Sequence, residues 1–154
     1  MGESEGDGIR FLVGGKVHTA AGIPPTTTVL NYLRENLGRV GTKEGCAEGD
    51  CGACTVVIGE LAPEGVALKT VNACIQFVPA LDGKALFTVE DLRSAEGALH
   101  PTQEAMVMCH GSQCGFCTPG FVMSLWALYV EHVTRQTRPT PTEMRTALAG
   151  NLCR

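Results

Sequence analysis

Residues 45–55 read G-C-A-E-G-D-C-G-A-C-T, which places Cys46, Cys51 and Cys54 in one short stretch spaced C-x4-C-x2-C, with Gly45, Gly49 and Gly52 among them. Cys74 follows at C-x19-C from the last of the three. The chain carries 8 cysteines in 154 residues, and thiols crowded this closely need a reason. A disulfide framework suits small exported chains. The opening M-G-E-S-E-G-D-G is acidic and has no basic stretch leading into an apolar run. It reads as a flexible segment over residues 1–8 and not as a signal peptide. A reducing, cytoplasmic setting is therefore expected, and metal ligation is the better account of the cluster.

Three thiols from one loop and a fourth from far along the chain match the spacing of a plant-type [2Fe–2S] site. Structural zinc is the alternative, although zinc sites usually pair two short knuckles. The glycines explain how a loop could wrap such a core. Gly45, Gly49 and Gly52 allow sharp turns, and the freed backbone N–H groups can point at negatively charged sulfur. On this reading Cys46, Cys51, Cys54 and Cys74 are ligands, and the three glycines belong to the same cofactor-binding loop.

Working outward, residues 9–18 predict a hairpin turning at Gly14-Gly15. Residues 26–38 predict a helix behind a Thr cap, with Val29, Leu30, Leu33 and Leu37 on one face and Gly38 as its stop. Strands are expected over 55–58, 66–71 and around Leu86. Beyond a junction near residues 90–97 the pattern turns helical. Pro101 opens one helix to about His110, and Thr118-Pro119 opens a second. That second helix is apolar nearly all round and is expected to be buried. Thr142 caps a third helix through Ala149, which Gly150 ends. The fold class expected is α+β: a small sheet domain over 9–90, then a small α-helical bundle over 91–154.

The helical half repeats the opening pattern. Residues 108–120 read M-C-H-G-S-Q-C-G-F-C-T-P-G, with Cys109, Cys114 and Cys117 again at C-x4-C-x2-C, and Cys153 stands in G-N-L-C-R. Composition narrows the partners. The chain is 44% hydrophobic with a net charge of −4, and its 12 Lys and Arg form no run, so nucleic acid is a poor partner. No apolar run reaches the length of a membrane span. No G-x-G-x-x-G is present, and Cys dominates the chemistry, so no catalytic residue is assigned.

Together K-E-G-C-A-E-G-D-C-G-A-C-T-V at 43–56, V-N-A-C at 71–74, H-G-S-Q-C-G-F-C-T-P-G at 110–120 and G-N-L-C-R at 150–154 resemble the iron–sulfur portion of the molybdenum hydroxylase family. The stretches G-K-A-L-F-T-V-E-D-L at 83–92 and L-H-P-T-Q-E-A-M at 99–106 look most like its xanthine dehydrogenase branch. Aldehyde oxidases, CO-dehydrogenase-like enzymes and other aromatic-heterocycle hydroxylases of the family are the alternatives. The resemblance implies a ferredoxin-like β-grasp domain and a four-helix domain, each holding one [2Fe–2S] cluster. It implies Cys46, Cys51, Cys54 and Cys74 as ligands of the plant-type cluster, Cys114, Cys117 and Cys153 as ligands of the helical one, and Gln113 as the residue that reaches the pterin. It also implies an electron relay from a molybdopterin-binding partner to an FAD-binding partner in a hetero-oligomer or larger chain. The loop 45–52 is expected to face the flavin side.

One departure matters. The family's last motif is C-R-C, whereas this chain stops at C-R. Two accounts follow: the helical domain is truncated at its C-terminus, or Cys109 supplies the fourth thiolate. The plainer expectation for Cys109 is a small, buried apolar side chain on its helix. Other readings were also weighed. A free-standing ferredoxin would have no use for the second cysteine set, and a zinc-stabilised interaction module would be colourless.

Overall fold

The computed structural model describes residues 8–154. The expected flexible segment therefore lies, apart from Gly8, outside the described residues. The chain opens with the predicted hairpin, strand β1 (Ile9–Val13) against β2 (Lys16–Ala20). Gly14 and Gly15 take φ of +59° and +73° between them, the left-handed pair that a tight hairpin turn requires.

The predicted helix over 26–38 is shorter and wider than expected. One α-turn, α1 (Val29–Asn31), starts behind Thr28, whose hydroxyl accepts from the Asn31 N–H at 3.2 Å. It loosens at once into a π-helical turn, Tyr32–Asn36. There the Leu37 N–H donates to the Tyr32 carbonyl at 3.1 Å, and the Arg39 N–H to that of Leu33 at 2.8 Å. Two prolines just upstream remove donors, and Gly38 at φ +65° ends the segment as expected.

Strand β3 (Thr55–Ala62) runs longer than its apolar core and pairs along its full length with β4 (Gly65–Asn72). Strand β5 (Ala85–Phe87) inserts between β1 and β3. The resulting five-stranded sheet has the order β2-β1-β5-β3-β4, with β1 and β5 parallel and the other pairs antiparallel. This is a ferredoxin-like mixed sheet.

The alternation of β3 builds two cores. Val56 and Ile58 point to one face, where they meet Val29, Leu30, Leu33, Val78 and Leu81. Val57 points to the other face, onto Val122, Met123 and Leu92. A strand with helices on both faces must be apolar at every position, and Thr55 through Gly59 are all buried.

The helical half comprises α2 (Pro101–Met108), α3 (Thr118–Thr134) and α4 (Pro141–Leu148). A 3₁₀ turn, Val89–Leu92, precedes them, so the described residues of this half show three α-helices and this turn where the resemblance implied four helices. Two expectations are corrected here. The cap of α4 is Thr140, whose hydroxyl accepts from the Glu143 N–H at 3.2 Å while the Glu143 carboxylate accepts from the Thr140 N–H at 2.7 Å. Thr142 lies inside the first turn, because Pro141 already occupies the first helical position. Helix α3 is buried along one side only. Gly120, Val122, Met123 and Ser124 face inward, whereas Tyr129 is exposed.

Arg39 ties the segment after the π-turn to the turn that follows β5. It donates to Thr88 Oγ1 at 2.7 Å and pairs with Asp91. Its Nε lies 3.1 Å from Glu90 but off the N–H line, a charge contact without a hydrogen bond.

Candidate metal centres

The cysteine loop, residues 45–54, folds back on itself because three of its residues are left-handed: Ala47, Gly49 and Gly52, with φ of +58°, +82° and +71°. Gly45 is not among them. It is needed for room, since a Cβ there would stand 2.7 Å from Cys51 Sγ. Gly49 also has Ile75 Cδ1 only 2.6 Å from where its Cβ would be.

Inside the loop the N–H groups of Glu48, Asp50 and Cys51 point at Cys46 Sγ from 3.5, 3.3 and 3.3 Å. Donors aimed at sulfur favour the thiolate. They bring Cys46 down to about 6, the Cys51 amide contributing most. Cys54 and Cys74 are buried with their sulfurs 3.3 Å apart. Burial pushes the Cys54 thiol up to about 12. Two thiols in such a place need a cation to be deprotonated.

The thiols gather in twos, Cys46 with Cys51 and Cys54 with Cys74. Among the described residues no three or more His, Cys, Asp or Glu side chains converge to hold one metal ion. Cys51 also lies near enough to Cys54 to be felt, and four cysteines so placed fit a two-iron core, in which four thiolates serve two irons.

The second set lies where α3 begins. Cys117 precedes Thr118 at the helix N-terminus, and its thiol is pushed up by burial first and then by its hydrogen bond with the Cys153 thiol, with Cys114 also within range. The fold thus sets the Cys153 thiol beside Cys117, with Cys114 near enough to be felt, although Cys153 is distant in sequence. Cys109 is not drawn into this group. It ends α2 as an exposed cap residue, which also corrects the expectation of a buried small side chain. Gln113 is exposed. Val107, Met108 and Phe116, its neighbours in sequence, are also exposed.

Sequence reasoning missed what holds the two cysteine loops together. The Asn151 side chain is buried between them. Its amide donates to the Gly52 carbonyl at 3.0 Å and to Thr55 Oγ1 at 3.1 Å, and its oxygen accepts from Ser124 Oγ at 2.6 Å. The Leu152 N–H donates to the Cys51 carbonyl at 2.9 Å. Asn151 was visible in G-N-L-C-R, but every partner of its side chain lies on a distant segment, so the motif alone carried no signal for this role.

Fold and donor set together define a protein built around two iron–sulfur sites. Residues 11–78 match the family described as "2Fe-2S iron-sulfur cluster binding domain", and residues 88–154 match the "[2Fe-2S] binding domain" family, so the chain consists of two [2Fe–2S]-binding domains. It is 44% identical over 151 residues to aldehyde oxidase 1 of Bos taurus and, equally, to xanthine dehydrogenase/oxidase of Gallus gallus. Each match covers 97% of this chain but 11% of the relative, so the chain spans about a tenth of the length of these curated proteins. Quinoline 2-oxidoreductase from Pseudomonas putida 86 superimposes with a TM-score of 0.75 at 30% identity, over 96% of this chain and 82% of that one. The chain belongs to the molybdenum hydroxylase family, as its two-cluster iron–sulfur portion. No helix among the described residues is long and apolar enough to cross a membrane.

Proposed function

We propose that this chain is the electron relay of a molybdenum hydroxylase, carrying electrons one at a time from a molybdopterin centre on one partner domain or subunit to FAD on another. The observation that carries the reading is the gathering of seven cysteines into two sets that abut through Gly52 and Asn151. Cys46, Cys51, Cys54 and Cys74 would hold the first cluster, and Cys114, Cys117 and Cys153 three corners of the second. Bound there, each cluster supplies one-electron redox chemistry. The chain's own part is to aim N–H donors at Cys46, to bury Cys54 and Cys74, and to fix one site against the other.

On this reading the domain bounds are 9–90 and 91–154. Gln113, which is exposed, would meet the pterin, and the loop 45–52 would face the flavin partner. Within the family the xanthine dehydrogenase branch is favoured by residues 83–92 and 99–106. Aldehyde oxidase is the second reading, favoured by an identity to the Bos taurus protein equal to that for the Gallus gallus one.

Iron and labile sulfide per chain, with electron paramagnetic resonance of the dithionite-reduced protein, test the proposal. About four irons and two distinct signals are expected where a fourth ligand completes the second site, and about two irons and one signal where it does not. A colourless protein containing zinc and no iron would overturn the reading.

A further inference from the structure

We infer that Asn151 is a positioning residue that couples the two cluster sites, so that filling one tightens the other. The inference rests on the two-cluster reading above, but its substance is in the chain's own contacts. Both ends of the Asn151 amide are used, its two N–H groups on the first cysteine loop and the start of β3 and its oxygen on α3. Its Nδ2 donates to the Gly52 carbonyl and Thr55 Oγ1, and its Oδ1 accepts from Ser124 Oγ on α3. Thr55 Oγ1 in turn donates to the same Gly52 carbonyl at 2.7 Å. This fixes which way round the amide lies, since an oxygen facing Gly52 would find no donor.

Gly52 stands between Cys51 and Cys54, and Asn151 stands two residues before Cys153. Next to it, the Leu152 N–H holds the Cys51 carbonyl. Packing leaves no slack. A Cβ on Gly52 would lie 2.1 Å from the Gly150 carbonyl, and one on Gly120 would lie 2.1 Å from the Gly52 carbonyl. Anchoring Cys153 therefore anchors residues 150–152, and these hold the backbone of the first loop. By linkage the effect runs equally in the other direction. Satisfied buried polar networks of this kind specify one arrangement.

The test is a mutant cycle on the iron-loaded protein, in whatever assembly it is purified. Cys114→Ser empties the second site at an exposed position. The readout is the rate at which a chelator bleaches the first cluster, followed by its own resonance signal. With Asn151 present, emptying the second site is expected to speed that loss severalfold, about tenfold if the coupling reaches the energy of one good hydrogen bond. In the Asn151→Ala background the same change is expected to make less than about a twofold difference. A first cluster lost at the same rate with the second site full or empty would overturn the inference, as would an equal acceleration in both backgrounds. Should Asn151→Ala fail to fold, Ser124→Ala, which touches neither cysteine loop, takes its place and must also reduce the coupling. Undiminished coupling there counts against the role. Failure of the two-cluster reading shows separately, as missing iron in the unaltered protein.

Discussion

At Gly52 a Cβ would meet the Gly150 carbonyl oxygen in a backbone held at φ +71°, so space and conformation both demand glycine. Three substitutions separate these demands. Gly115→Ala meets only Ser112 Oγ, at 3.8 Å, with φ +84°, and is expected to cost the left-handed penalty alone, about 1–2 kcal/mol. Gly120→Ala has ordinary helical backbone and meets the Gly52 carbonyl, so it carries the clash alone. Gly52→Ala carries both and should melt lowest of the three, with the strain component alone at about 1–3 kcal/mol. Thermal unfolding of the three variants checks the order. At this scale the cysteines were legible because ligand spacing within one loop is local. Asn151 was not, because its amide works on Gly52 and Thr55, 99 and 96 residues away. Gly45 was read for its freedom to turn when its real constraint is the Cys51 sulfur beside it.

The helices carry their own predictions. Thr140→Ala removes the hydroxyl that caps α4 and is expected to cost about 1 kcal/mol, whereas Thr142→Ala, inside the helix, should be nearly neutral; chemical denaturation distinguishes them. Helix α2 is capped by a histidine. His100 Nδ1 accepts from the Thr102 N–H at 3.2 Å, and the ring stands edge-on to Tyr129 at 5.1 Å. Burial lowers the His100 pKa from 6.5. The folded state thus favours the neutral ring, so the contribution is full above the ordinary imidazole value and is lost as pH falls below it. A protonated Nδ1 also cannot accept. The protection factor of the Thr102 amide, its exchange rate compared with the intrinsic rate at each pH, should therefore fall as pH drops below about 6.5, and His100→Asn, which keeps an acceptor without titrating, should abolish the change. Helix and strand identities were legible here from apolar spacing and from the Pro and Gly stops. The π-turn at Tyr32–Asn36 was not, because periodicity shows which face is buried and not how many residues close each turn.

The two halves share one strand, since Val56 and Ile58 serve one core and Val57 the other. Cutting into the second core should therefore be felt throughout. Met123→Ala, at a fully buried site, is expected to cost about 2–5 kcal/mol. Calorimetry should still show one transition, not two, whereas separate melting of a helical and a sheet portion would contradict a shared core. The sequence showed two compositional halves and hence a junction. It could not show that α3 lies on the back of β3, because pairing a helix with a sheet face is a property of the assembled chain. The bond from Asn151 to Gly52 adds a matter of timing. A growing chain is made at about 5–20 residues per second, and 99 residues separate donor from acceptor. The first cysteine loop therefore exists for roughly 5–20 s before its latch has been synthesised. In that interval the loop lacks the bond that fixes the Gly52 carbonyl, and its backbone is held by its own turns alone.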